Sequence, residues 1–229
     1  MTVIHGDATQ VLKTLEPESI DFVFTSPSPF GFGGGIGQGI GSEKEKGLYI
    51  FNIAYLFEQV KRVLKPSGCI WLQLADSHDE NGSMRCVPEA VSNYLRTAHG
   101  WLLRSKCYWV RTEKFGYQED YNRFARDVEH LFFFTKNKDH YFNNPHKKVQ
   151  SSVFYADYKE PRKNEFESGF PEKIIERCIS LSCPPKGVVL DPLADSGTVG
   201  VVAKKMGRDY IMIDISYEKV LAMRGRLGE

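Results

Sequence analysis

The sequence lacks most of what marks a membrane, secreted or metal-bound protein. No apolar run approaches the roughly 20 residues of a membrane span, and the opening MTVIHGDA has no basic-then-apolar signal pattern. The five cysteines (69, 86, 107, 178 and 183) are odd in number and form no C-x-x-C pair. Neither a disulfide framework nor a metal site is therefore expected, and reduced thiols in a cytoplasm are. A net charge of +1 does not by itself announce a polyanionic partner. At 229 residues the chain is long enough for one core and short for two, so 1–229 is taken as a single domain.

Charge is nevertheless uneven. Lys136 to Lys163 carries seven Lys/Arg against three Asp/Glu, and Trp101 to Arg126 six against three. Two mildly basic segments on a near-neutral chain suit a polyanion held on one face, or a solvated surface with chance clustering.

Periodicity predicts alternating strands and helices. TVIHG, IDFVFTS, CIWLQLAD, WLLRSKCYWVR, EHLFFFTK, VVLD and DYIMIDIS have strand character. ATQVLKTL, LYIFNIAYLFEQVKRVLK, PEAVSNYLRTA, FPEKIIERCISLSC and the chain end have helical spacing, the second stopping at Pro66-Ser67-Gly68. Such alternation implies an α/β fold, doubly wound around a mostly parallel sheet. The glycine-rich stretch Gly31 to Gly41 looks mobile, and residues 137–165 show no sustained period.

The clearest site signal is VVLDPLADSGTVGVVAKK. An apolar strand enters a turn of small residues, and Ser196-Gly197-Thr198 opens a helix, so the backbone can approach a ligand and offer free N–H groups. Nineteen residues beyond Asp195, the next strand ends in Asp214, an acid suited to both hydroxyls of a ribose. The turn lacks G-x-G-x-x-G, which disfavours a nicotinamide cofactor. A purely structural strand–turn–helix with a capping serine is the alternative.

DPLADSGTVGVVAKKMGRDYIMIDIS resembles the D-P-F-x-G-S-G-T segment of S-adenosylmethionine-dependent DNA amino-methyltransferases. IHGDATQVLKTLEPESIDFVFTSP, RVLKPSGCIWLQLADS, GWLLRSKCYWVR with NRFARDVEHLFFFTKNKDHYF, and FPEKIIERCI are similar to further blocks of that family, in the same order. With the methyl-acceptor motif ahead of the cofactor motif, the likeness is to the permuted, beta-type class. It implies a class I (Rossmann-like) fold, circularly permuted, and S-adenosyl-L-methionine as cofactor. By position, Asp191, Pro192, Leu193, Ala194, Asp195, Ser196, Gly197 and Thr198 would embrace its methionine part. Asp214, with Ile215, would take the ribose side and Asp7, with Ala8, the adenine; Phe170 and Pro171 would close the pocket. Leu193 stands where an aromatic is usual and Asp195 where glycine is usual. That carboxylate would complement the cofactor's sulfonium or α-amino charge, or repel its carboxylate.

TSPSPF follows the strand IDFVF and occupies the place of the family's acceptor motif, an acid or serine, two prolines and an aromatic. An exocyclic amine is a poor nucleophile because its lone pair is delocalised into the base. A side chain and a main-chain carbonyl, held by proline, accept its N–H bonds and localise that pair, while an aromatic stacks on the flipped base. In one register Ser26, Pro27, Ser28 and Pro29 stand for the motif; in the other one residue is inserted and Phe30 is the stacking ring. We favour the second, with Ser26 Oγ and the Pro27 carbonyl as acceptors.

Serine at the first position resembles the cytosine-N4 group, since a hydroxyl can accept from the amine and donate to ring N3. ADS at 75–77 and GWLLRS point the same way. Adenine-N6 methylation and a non-catalytic DNA-binding descendant are the alternatives; an RNA target is disfavoured because the similar RNA enzymes carry the amine motif after the cofactor motif. The expected partner is double-stranded DNA with one base flipped, with a homodimer as a further option. Residues 137–165 lie where this class inserts target recognition, with Lys147, Lys148, Arg162 and Lys163 as candidate DNA contacts. No restriction-nuclease signature is present in the chain, and type II restriction-modification is the biological setting the resemblance implies.

Overall fold

A computed structural model describes residues 1–31, 39–111, 124, 127–157 and 170–229. In chain order the elements are β1 (Thr2–His5), α1 (Ala8–Thr14), β2 (Ile20–Thr25), α2 (Lys46–Val63), β3 (Leu64–Leu74), α3 (Val87–Ala98) and β4 (Leu102–Val110). Then follow β5 (Val128–Thr135), β6 (Val153–Tyr155), α4 (Glu172–Ser182), β7 (Val188–Asp191), α5 (Thr198–Lys205), β8 (Asp209–Asp214) and α6 (Tyr217–Leu227). Among the described residues the strands form one eight-stranded sheet in the order β1-β8-β7-β2-β3-β5-β4-β6. All neighbours are parallel except β5, which runs against β3 and β4.

Both faces of the sheet are covered, as the apolar run of β2 demands; every residue from Ile20 to Thr25 is buried. Phe22 and Phe24 point into a core shared with Ile175 and Ile179 of α4, Val202 of α5 and Met223 of α6. Val23, between them, points into the opposite core with Leu12 of α1, Ile53 and Val60 of α2 and Val91 of α3. That division is the period-2 alternation of a strand. Among the described residues no helix is long and apolar enough to cross a membrane.

The boundary between α2 and β3 departs from the expected helix end at Pro66-Ser67-Gly68. The helix stops at Val63, and Leu64 already pairs with Ile20 of β2. The register then jumps, so that Phe22 pairs with Cys69 and residues 65–68 bulge outward. Pro66 has no N–H for a ladder bond, and a Cβ on Gly68 would sit 2.6 Å from Leu64 Cδ1. Lys65, on the bulge, reaches both carboxylate oxygens of Asp21 at 2.8 Å, and Asp21 also accepts from Val188 N.

Part of 137–165 belongs to the sheet. β6 adds to the edge strand β4 with Tyr108 opposite Val153, held by a 2.7 Å bond from Trp109 Nε1 to the Ala156 carbonyl. Three residues are too few for a periodic signal. The glycine-rich residues 32–38 lie outside the described residues.

Candidate active site

In an open parallel sheet the crevice lies where strand order reverses, at the carboxyl ends. Here β7 leads through α5 to β8 on one side, while β2 leads through α2 to β3 on the other. The reversal therefore falls between β7 and β2. β7 ends in Asp191 and β2 in Thr25, and Thr25 Oγ1 donates to Asp191 Oδ1 at 2.8 Å across 166 residues of sequence. One cavity at this point is lined by Phe24, Ser26, Phe170, Ile175, Asp191, Leu193, Ala194, Asp195, Ser196, Thr198 and Val199. The expected cofactor turn and the expected acceptor serine thus share a cavity.

Asp191 is 4 % exposed and also accepts from Leu193 N at 3.1 Å. Burial pushes its carboxyl up from 3.8 to about 7, against the pull of the Thr25 hydroxyl. Pro192 is buried, and the turn is tied to the next strand by Ala194 N donating to the Ile213 carbonyl at 2.9 Å. Asp214, at the end of β8, accepts from Asp195 N at 2.9 Å and Ser216 N at 2.8 Å. Burial raises its carboxyl as well. Ser196 Oγ lies 3.0 Å from Thr198 Oγ1. Gly197 adopts φ +74°, and a Cβ there would stand 2.7 Å from Met223 Cγ, so the turn needs glycine to approach α6 this closely.

Asp195 keeps the backbone that a glycine would have at this turn. Its φ is +49°, in the left-handed region that aspartate tolerates better than most residues. Its exposed carboxylate is paired with Lys219 Nζ at 2.5 Å. The negative charge introduced beside the cavity is thereby balanced from α6.

The remaining expected cofactor residues are placed less uniformly. Phe170 lines the cavity, edge-on to Phe24 at 5.3 Å, and Pro171 caps α4. Asp7 is exposed at the end of β1 and caps α1, accepting from Gln10 N at 3.1 Å and from the Thr9 hydroxyl, while Ala8 is buried. Ile215 is 38 % exposed, with its carbonyl 3.0 Å from His5 Nε2.

The acceptor motif divides. Ser26 is exposed at the cavity, and Pro27 behind it is buried. Ser28 and Pro29 are half-buried, with the Ser28 carbonyl accepting from Tyr49 Oη at 3.0 Å. Phe30 is not offered to a base in this structure. It is 4 % exposed, tilted against Tyr49 at 5.7 Å, and covered by the Arg85 guanidinium 5.2 Å from its ring centre. Its carbonyl accepts from Ser77 Oγ at 3.0 Å. The stacking role expected for Phe30 is not what this structure shows: its ring is packed into the apolar core, where a large ring gains more than at a wet mouth.

Of the basic candidates, Lys147 and Lys148 are not among the residues that line the cavity. They are exposed in a loop tied back by Tyr141 N to the Ser67 carbonyl and Asn143 N to the Leu181 carbonyl. Those two anchors lie on the amino-terminal side of β3 and β7, and beyond the lysines the chain runs back to pair Val153 with Tyr108. Arg162 and Lys163 lie outside the described residues. Asp76, Cys86 and Glu89 bring ligand-type atoms within 4.8 Å of one another. The Asp76 carboxylate is committed there to Ser77 N, Cys86 N and Val87 N, which tie down the start of α3.

Three participants have no place in the sequence reading. Thr25 and Lys219 carry no local signal. Gln73 does, as the one polar residue inside the apolar run CIWLQL, and it accepts a hydrogen bond from Ser26 Oγ.

The donor set suits a ligand with a cation, a sugar diol and an apolar edge. Two buried carboxylates end adjacent strands, hydroxyls and a helix start lie between them, and Phe170, Ile175 and Val199 form an apolar wall. Comparison with known proteins agrees in its own terms. The chain is 28 % identical to the type II methyltransferase M.XycI of Xanthomonas campestris pv. cyanopsidis, over 99 % of this chain and 87 % of that protein. It is 27 % identical to M.SmaI of Serratia marcescens, over 98 % and 90 %. The fold superposes on the cytosine-N4-specific PvuII DNA methyltransferase with a TM-score of 0.85 at 20 % identity, over 98 % of this chain and 85 % of that one. A complex of M1.HpyAVI with S-adenosylmethionine gives a TM-score of 0.73 at 20 % identity, over 100 % and 99 %. The family model for N6/N4 DNA methylases matches residues 20–223, from β2 into α6, and the chain belongs to that family of DNA methylases.

Proposed function

We propose that this protein is a type II DNA methyltransferase that methylates the exocyclic amine of a base flipped out of double-stranded DNA, with cytosine N4 as target. The observation that carries the reading is the shared cavity at the sheet's switch point, where Ser26 faces the same space as Asp191 and Ser196.

S-adenosylmethionine, when bound, supplies an electrophilic methyl group. The chain's residues bind and orient. Asp191 offers a buried carboxylate to a cationic group and gains by the match, since burial alone disfavours its charge. Asp214 offers its remaining lone pairs to a diol. Phe170, Ile175 and Val199 exclude water from the apolar side of the cavity. Ser26 Oγ and the Pro27 carbonyl accept the two amine hydrogens, which holds the nitrogen lone pair out of conjugation with the ring. No strong base is needed, because the methylated ammonium is acidic enough to release its proton to water.

The choice of cytosine rests on serine in the first acceptor position and on the ADS segment at 75–77. The test is methyl transfer from S-adenosylmethionine to unmethylated duplex DNA of mixed sequence, with nucleosides identified by mass spectrometry. N4-methylcytosine is the expected product. N6-methyladenine would replace the target and keep the site; binding of neither cofactor nor DNA would refute the proposed activity.

A further inference from the structure

A hydrogen-bonded chain crosses four strands beside the candidate acceptor. Ser26, just beyond β2, donates its hydroxyl hydrogen to Gln73 Oε1 on β3. Gln73 Nε2 donates to Glu129 Oε2 on β5 at 3.3 Å. Glu129 Oε1 is ion-paired with Arg111, just beyond β4. Gln73 and Glu129 are each only 6 % exposed, while Ser26 is open to the cavity.

The direction of this chain follows from donor chemistry. An ionised carboxylate only accepts and a guanidinium only donates, whereas a primary amide has one end of each kind. Glu129, charged beside Arg111, therefore takes the NH2 end of Gln73. The carbonyl end is left for Ser26. A serine hydroxyl has one hydrogen, and Gln73 Oε1 takes it, so the lone pairs of Oγ are what remains for a ligand. With the amide reversed, Nε2 would occupy an Oγ lone pair and Ser26 would turn its hydrogen toward the cavity. It would then face an amine hydrogen with a hydrogen of its own.

We infer that Gln73 is a positioning residue for the transfer reaction, and that Glu129 and Arg111 set its orientation so that Ser26 acts as a pure hydrogen-bond acceptor toward the target amine. This rests on the proposed role of Ser26. Because its only hydrogen is engaged, Ser26 is not the donor to a ring nitrogen, and the cytosine reading then rests on the likeness of Ser26 and of the ADS segment to the cytosine-N4 group, not on a bond to N3. Polar groups buried in such a row are costly unless every bond is made, so the arrangement is sensitive to single replacements and tolerant of one that leaves every group partnered and keeps Ser26 as the donor.

That tolerance supplies the test. Methyl transfer to duplex DNA is measured for S26A, Q73M, the S26A/Q73M double variant, Q73E and the exchange Q73E/E129Q. In the exchange Arg111 still donates to residue 129 and Ser26 still donates to residue 73, while the bond between them is reversed, the amide now at 129 donating to the carboxylate now at 73. S26A should lower kcat by about 100-fold. Q73M should lower it by about tenfold, with the dissociation constants for cofactor and DNA changed by less than about twofold. Adding Q73M to S26A should cost nothing further, and the exchange should recover most of the activity that Q73E alone loses. If Q73M again lowers kcat tenfold in the S26A background, or the exchange recovers nothing while its urea midpoint matches the parent, the inference is wrong and the role of Ser26 stands. If S26A keeps full kcat, the proposed acceptor role itself falls, and the inference with it.

Discussion

Replacing Asp191 by asparagine separates the cost of a buried carboxylate from its use. The side chain is 4 % exposed, and burial pushes its carboxyl from 3.8 to about 7. That interval corresponds to about 4 kcal/mol at roughly 1.4 kcal/mol per pH unit. The folded protein keeps this proton after the unfolded chain has lost it. Stability from this group is therefore fully present below about pH 4, declines as pH rises toward about 7, and is level above that. Asparagine has no such proton, and its Oδ1 can accept the same bonds from Thr25 Oγ1 and Leu193 N. D191N should match the cofactor-free parent near pH 4 and exceed it at pH 8 by about 4 kcal/mol. Between pH 5 and pH 8 the gap should widen by about 2.5 kcal/mol, which urea unfolding at a series of pH values resolves. Affinity for a cationic cofactor should move oppositely, strengthening from pH 6 to 8 in the parent as Asp191 ionises and staying weak and flat in D191N. A stability gap that does not change with pH would refute the reasoning.

Phe30→Ala should cost about 3 kcal/mol of folding stability, as for a large core ring, because Phe30 packs against Tyr49 and Arg85. Urea unfolding checks this, and parent-like stability would show that the ring is not in the core. Asp195→Gly should change stability by less than about 1 kcal/mol, since the Lys219 pair is half-exposed and glycine accepts the left-handed backbone without strain. Lys219→Ala should raise the Asp214 carboxyl further, because Lys219 now favours its charge; NMR titration of that carboxyl is the check, and a fall would be the contrary result.

Much of the fold was legible because its elements are written in local periodicity. The alternation in IDFVF divides Phe22 and Phe24 from Val23 between two cores, and the stripe of α2 buries Ile53, Phe57 and Val60. The turn after VVLD was legible for a similar reason, since small residues between a strand and a helix have few other uses. β6 was not, because three residues on an edge depend on a neighbouring strand rather than on their own pattern. Nor was the burial of Phe30, which an aromatic after two prolines does not reveal.

By itself, then, the sequence determined strand and helix order, the small-residue turn after β7, the proline loop after β2 and the family to which they belong, because each is encoded in contiguous residues. Only the tertiary structure decided which of these meet. It set β7 beside β2, so that Thr25 bonds Asp191, paired Asp195 with Lys219, and lined Ser26, Gln73, Glu129 and Arg111 along one edge. It also left Lys147 and Lys148 outside the lining of the cavity. These are contacts between distant segments, and they exist only once the hydrophobic faces of the sheet have chosen their strand order and register.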